Sequence, residues 1–190
     1  MSQSPDQLSP LFLQGAVAAA KGLIGWRLYV QEIDGGQTGG IIVETEAYTQ
    51  EDAASHSYRG RTPRTDIMFG PAGHVYVYFT YGMHWCMNIV TGPEGHGEAV
   101  LIRAMRPENG LKHMQKRRGN KPESQLADGP AKLCQALAIT GADNGAAVND
   151  SRIFLLPPEQ APPEVLATER IGITKDTHRL WRFVASYPGG

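Results

Sequence analysis

The sequence predicts an α+β fold: a single domain of antiparallel hairpins with flanking helices. Three observations predict it. A chain of 190 residues fits one domain and is long enough to bury a core. Its 13 prolines and 22 glycines favour many short elements joined by turns over a few long helices. The elements themselves run as consecutive hairpins with helices before, between and after them.

Taken in order, SPLFLQGAVAAAKGLIG predicts the first helix, with Ser9 as N-cap, Pro10 at the first helical position and glycines closing it. Residues 1–8 are expected to be flexible. RLYVQEI and GGIIVETEA are strands joined by a DGG hairpin turn. EDAASHS predicts a short helical turn, and RGRTPRTDIMFG an arginine-rich loop. HVYVYFT and MHWCMNIVT form a second hairpin with Tyr81 and Gly82 near its tip. GEAVLIRAM is a further strand. NGLKHMQKRRG and DGPAKLCQALAI are helices, the second with Asp128 as cap and Pro130 in its first turn. RIFLL, RIGI and RLWRFVAS are predicted strands, and PPEQAPPE a surface linker.

Bulk properties exclude several classes. MSQSPDQLSPLFLQ has no basic n-region, and no apolar stretch approaches the roughly 18 residues of a membrane span. A soluble, intracellular protein is expected. Cys86 and Cys134 cannot supply a four-thiolate cluster or a zinc ribbon, and neither sits in a CxxC, so no metal or cofactor is implied. Both are expected to be small buried residues. The formal charge is −1, yet His56 to Lys121 holds ten basic residues against four acids. Such a window can present a basic face to phosphates. For KHMQKRRGNK the alternative is a solvated helix surface.

Several residues carry potential chemistry. Glu44 and Glu46 fall two apart on one strand, hence on one face. Carboxylates that close repel, and such pairs serve acid–base catalysis near neutral pH. Tyr76 and Tyr78 share a face of the second hairpin. Tyr81, at its tip, either folds back or projects as a wedge between stacked bases. Tyr48 and Tyr78 offer flat faces for a base, or core packing. Asn88 interrupts the apolar run CMNIV and needs partners there. Arg103 falls on the same strand face as Leu101 and Met105, which buries a guanidinium and calls for an acid: Glu46, Glu44 or Asp66. His56 either donates to a phosphate or satisfies a loop carbonyl. Together they supply what a base-flipping enzyme needs.

VETEAY, AASHS, RTPR, MF, YVYFTYGMHWCMNIV, VLIRAMRP, DGPAKLCQAL and ERIGI resemble, in order and spacing, the alkyladenine (3-methyladenine) DNA glycosylase family, from about Leu23 to Val184. The resemblance implies a single-domain α+β fold around a curved antiparallel sheet. It implies Glu46 as the general base for the attacking water, with Arg103 and main chain helping to hold that water. Tyr48, His56 and Tyr78 would form the pocket for the extruded nucleotide, Asn88 would reject the guanine amine, and Tyr81 would fill the gap in the duplex. The expected partner is double-stranded DNA carrying a damaged purine, bound by a monomer, in the cytoplasm of a bacterium or the nucleus of a eukaryote. No lysine lies between Lys21 and Lys112, so a monofunctional enzyme that leaves an abasic site is expected. Two other readings remain open: a sugar glycosidase using Glu44 and Glu46 as its pair, and a lesion-sensing DNA-binding module without cleavage.

Overall fold

The computed structural model describes residues 8–161 and 163–186. Two helices, α1 (Leu8–Leu13) and α2 (Ala16–Gly22), stand where one is expected. The break is at Gly15, whose φ of 86° cannot continue a helix. Because α1 already opens at Leu8, Ser9 and Pro10 lie within it and not at a cap. Apart from Leu8, the segment 1–8 expected to be flexible lies outside the described residues.

Strands β1 (Arg27–Gln31) and β2 (Gln37–Tyr48) form the first hairpin, and β3 (Val75–Thr80) and β4 (His84–Val90) the second. Strand β5 (Ala99–Asn109) precedes helices α3 (Leu111–Arg117) and α4 (Pro130–Ala136). Strands β6 (Ile153–Leu156), β7 (Glu164–Thr168) and β8 (Arg182–Ser186) close the chain. Two expectations fail here. The cap of α4 is Gly129, without a side-chain bond, while Asp128 pairs with Lys132 at 2.8 Å. RIGI forms no strand: β8 pairs with β2 on one side and with β7, upstream of RIGI, on the other. Arg170 and the Ile171 amide are engaged by carboxylates, which takes this segment out of any ladder.

All pairings in the curled sheet are antiparallel, in the order β3-β4-β5-β2-β1-β6. β2 is long because it serves three neighbours. Its first half borders β1, its second half borders β8 at Glu44–Glu46, and β5 runs along its other edge. Gly39 and Gly40 permit this crowding, since a Cβ there would lie 2.2 Å from the Leu28 carbonyl oxygen and 2.0 Å from that of Arg106. Register shifts around Glu44 mark an irregularity in the β2–β5 ladder, a device that commonly re-aims side chains beside active sites.

Period-two alternation then sorts the side chains. Ala47, Val75, Val77, Met87, Ile89, Val100 and Ile102 enter the core formed with α2 and α4, and Ile42 joins them from the other side of the irregularity at Glu44. The alternate residues Glu44, Glu46, Tyr48, Tyr76, Tyr78, Asn88, Leu101 and Arg103 fall on the opposite face. Tyr76 packs there with Met68, Phe69, Val90 and Ala99 in a second apolar cluster beneath the 3-10 turn Asp66–Phe69. Both cysteines are buried and free.

The tip of the second hairpin is strained. Tyr81 has φ of 51° and Gly82 φ of 67°, and Tyr81 is 85% exposed. A left-handed conformation costs an L-residue about 1–2 kcal/mol, and an exposed ring regains little of that by packing. Replacing Tyr81 with Gly is therefore expected to leave stability unchanged or raise it by up to about 1 kcal/mol, after the glycine's entropy cost. A clear loss of stability on urea unfolding would show that the ring is held by packing and not displayed.

Candidate active site

The polar face of the sheet ends in a cavity of about 370 Å³, within the usual range of small-molecule sites. Tyr48, His56, Tyr76, Tyr78, Asn88 and Arg103 line it, with Tyr81 at its edge and Ile171–Ile173 on the opposite wall. A smaller hollow of about 140 Å³ beside Arg27 and Glu159, and a groove of about 620 Å³ along Val43 and Met105, contain no aromatic side chain. The aromatic cavity is therefore the chemical candidate. Six of the seven residues singled out from the sequence line it directly.

The seventh, Glu46, lies one layer behind the wall and is fully buried. Its Oε2 accepts from the Tyr48 hydroxyl at 2.8 Å and from Arg103 Nη1 at 3.2 Å. Its Oε1 accepts from the Ile171 amide at 2.8 Å. Each of these three donors belongs to a cavity-lining residue. Arg103 is shared, because its Nε also donates to Glu44 at 2.7 Å. Glu44 in turn accepts from Arg182 Nε at 2.6 Å. Two acids and two arginines thus form one compensated cluster. Asp66, the third acid considered for Arg103, pairs instead with Arg61 on the surface. Burial opposes the charge of Arg103, but Glu46 and Glu44 outweigh it and hold its pKa above the ordinary arginine value.

The aromatic walls are locked together. The ring of His56 meets Tyr78 edge-on at 4.5 Å, and its Nδ1 lies 3.0 Å from the Tyr76 hydroxyl. Tyr76 and Tyr78 are tilted against each other at 5.7 Å. Asn88 is fixed by a 3.1 Å bond from its Nδ2 to the Tyr76 carbonyl. Burial pushes the Tyr48 and Tyr78 hydroxyls far up from their ordinary value, Tyr48 further through Glu46 and Tyr78 through Cys86. Burial of its inner side, then the charge of Arg64, push His56 down. The guanidinium of Arg64 lies 5.9 Å from the centre of the Tyr78 ring, at an exposed position near the cavity.

The other predicted features divide. Arg59, Arg61 and Arg64 are all exposed; Arg64 lies over the Tyr78 ring of the cavity, and Arg61 is paired with Asp66. In KHMQKRRGNK, Arg117 instead binds Glu32 and the Ala136 carbonyl, and Arg118 binds the Leu126 carbonyl, so these two staple α3 in place. Among the described residues no group of three or more His, Cys, Asp or Glu is placed to hold a metal ion. No helix there is long and apolar enough to cross a membrane. Sequence reasoning missed the Ile171 amide, the Arg182 partner of Glu44, and a buried ion pair between Asp52 and Arg170.

The family model for methylpurine-DNA glycosylase (MPG) matches residues 11–187. The chain belongs to the methylpurine-DNA glycosylase family. It is accordingly a DNA glycosylase, a hydrolase of N-glycosyl bonds whose substrate partner is DNA. A relative from Rhodopseudomonas palustris is 53% identical over 148 residues, covering 78% of this chain and 71% of its own. One from Methanoculleus marisnigri is 50% identical, covering 88% of each chain. One from Agrobacterium fabrum is 46% identical, covering 96% of this chain and 90% of its own. The names of all three assign them as 3-methyladenine DNA glycosylases.

Within this glycosylase His56 is predicted to be neutral at pH 7. By NMR titration its midpoint is expected below histidine's usual value of about 6.5. Removing a nearby positive charge favours the imidazolium, so Arg64→Ala is expected to move that midpoint upward. A midpoint at or above 6.5 in the parent protein contradicts the arrangement of these walls.

Proposed function

We propose that this glycosylase releases 3-methyladenine-type alkylated purines from duplex DNA, working as a monomer on a nucleotide flipped into the aromatic cavity. The names of the relatives support the lesion class. The observation that carries the mechanism is the placement of Glu46, buried behind a wall made of its own three donors. A carboxylate offers about four acceptor positions, so one is left for a water at that wall. In the reaction the water oxygen attacks the sugar C1′ and Glu46 takes its proton. The bond from C1′ to the base nitrogen breaks, and its electron pair leaves with the base. Positive charge building on the sugar is stabilised by the same carboxylate. Arg103 orients Glu46 from one side and the Ile171 main chain from the other.

Specificity follows from what the walls provide. Tyr48 and Tyr78 attract a cationic purine more strongly than a neutral one. An alkylated base is already cationic and leaves without an acid. The cavity's ionisable groups are also poor proton donors at neutral pH: burial raises the tyrosine hydroxyls, and it lowers His56, which then holds no imidazolium proton to give. Asn88, fixed by Tyr76, is placed to exclude the exocyclic amine of guanine. Tyr81, exposed at the strained tip, fills the space the base vacates. Arg64, exposed beside the Tyr78 ring, meets phosphates. Among the described residues no lysine lines the cavity, which supports release to an abasic site without strand cleavage.

Two experiments test this reading. Glu46→Gln is expected to bind lesion-containing duplex within a few-fold of the parent while losing about 10²–10⁴ in single-turnover base release. Parent-like release by that variant removes Glu46 from its role, and a borohydride-trapped DNA adduct of the parent would contradict the monofunctional reading. In the second, hypoxanthine is expected to be released at least about 10²-fold more slowly than 3-methyladenine at pH 7.5, the scale of a missing general acid. Equal rates would mean that an efficient acid operates in the cavity.

A further inference from the structure

We infer that the buried Asp52–Arg170 pair is a positioning device for the reaction, setting both the Ile171–Ile173 wall and the amide that holds Glu46. The inference rests on reading Glu46 as the base. Both side chains of the pair are wholly inaccessible to solvent. Two guanidinium nitrogens engage the Asp52 carboxylate, Nη2 at 3.0 Å and Nη1 also at close range. Nη1 donates in addition to the Ala47 carbonyl at 3.0 Å, and Nη2 lies 3.4 Å from that of Asp176. The plane of the group sits between the rings of Tyr48, at 4.7 Å, and Trp181, at 5.3 Å. One side chain therefore ties together the end of β2, the turn that follows it, the 170–176 loop and the approach to β8.

A second tie completes the clamp. The Ala53 amide donates to Asp176 Oδ2 at 2.9 Å. The loop is thus pinned at Arg170 and at Asp176 to the adjacent residues Asp52 and Ala53. Between the pins lie Ile171, Gly172 and Ile173, the wall of the cavity, and next to the first pin is the amide that donates to Glu46.

Stability alone does not account for this choice of residues. A buried ion pair is often no more stabilising than two apolar side chains of similar volume. Here the pair carries an added cost, since Arg170 Nε is buried with no partner. What the guanidinium adds over an apolar pair is direction: fixed donors that set the loop's height above Glu46 and the pitch of the Tyr48 ring. Displacements of about 1 Å at a reacting centre can cost about 10² in rate. Neither Asp52 nor Arg170 lines the cavity, so both act through Ile171, Tyr48 and Glu46.

The test uses the full chain carrying Asp52→Leu and Arg170→Met together, which restores apolar packing without the ion pair, and a separate Asp52→Asn variant. Melting temperature, affinity for alkylated duplex and single-turnover release of 3-methyladenine are measured well below each melting point. The double variant is expected to melt near the parent and bind DNA within about threefold, yet to release base roughly 10–100-fold more slowly. Asp52→Asn is expected to slow release in the same way, and it decides the matter alone if the double variant does not fold. Parent-like release by either folded variant overturns the inference, as does a defect confined to affinity. Glu46→Gln assayed alongside separates the two claims: parent-like release by that variant sinks the base assignment itself.

Discussion

Everything at this site depends on keeping one carboxylate charged while it is shut off from bulk solvent. An unpaired buried carboxylate is among the costliest groups a fold can contain, and Glu46 is wholly buried. Its neighbours therefore follow from necessity. Arg103 supplies the countercharge, Tyr48 and the Ile171 amide supply the remaining bonds, and Glu44 absorbs the other side of Arg103. Arg182 then offsets Glu44. The result is a nearly neutral cluster at the junction of β5, β2 and β8.

That junction explains the topology around it. Most strands have two ladder neighbours at most, but β2 borders β1, β5 and β8 in turn. The residues where β8 replaces β1 as neighbour are Glu44 to Glu46. Bringing β8 there places Arg182 against Glu44, and the chain that leads into β8 lines the cavity at Ile171–Ile173, in the 170–176 loop. Its irregular backbone is what frees the Ile171 amide, since a residue in a ladder would have spent its N–H on a neighbouring strand.

Much of this was legible in the sequence because it is local. Alternation of apolar and polar residues set β2, β3, β4 and β5 and put Glu46, Tyr48, Tyr78, Asn88 and Arg103 on the same face. The need of a buried arginine for an acid left Glu46, Glu44 or Asp66 as candidates, and Arg103 binds the first two. What escaped depends on long-range pairing. Asp52 and Arg170 are separated by 118 positions, and no local pattern announces their contact. RIGI alternates like a strand, yet its first residue is claimed by Asp52 and its second by Glu46. The signal was available in the charge: an arginine opening an apolar alternation, and an aspartate in a turn, each needing a partner once buried. The long helix expected at the N-terminus failed for a simpler reason, since Gly15 was counted as helical when its neighbours left it free to turn.

The same electrostatics decides between the two glycosidic readings of the acid pair. A retaining sugar glycosidase needs two carboxylates that both address the substrate, one as acid and one as nucleophile. Glu44 and Glu46 do share a strand face, as that reading requires. Glu44, however, is bound by the Nε atoms of both Arg103 and Arg182, whereas Glu46 is held by three residues of the cavity wall, Tyr48, Arg103 and Ile171. Glu44 is occupied in holding Arg103, which leaves a single carboxylate behind the aromatic wall. A lone carboxylate without a partner acid suits a leaving group that departs unaided, and a purine made cationic by alkylation is such a group.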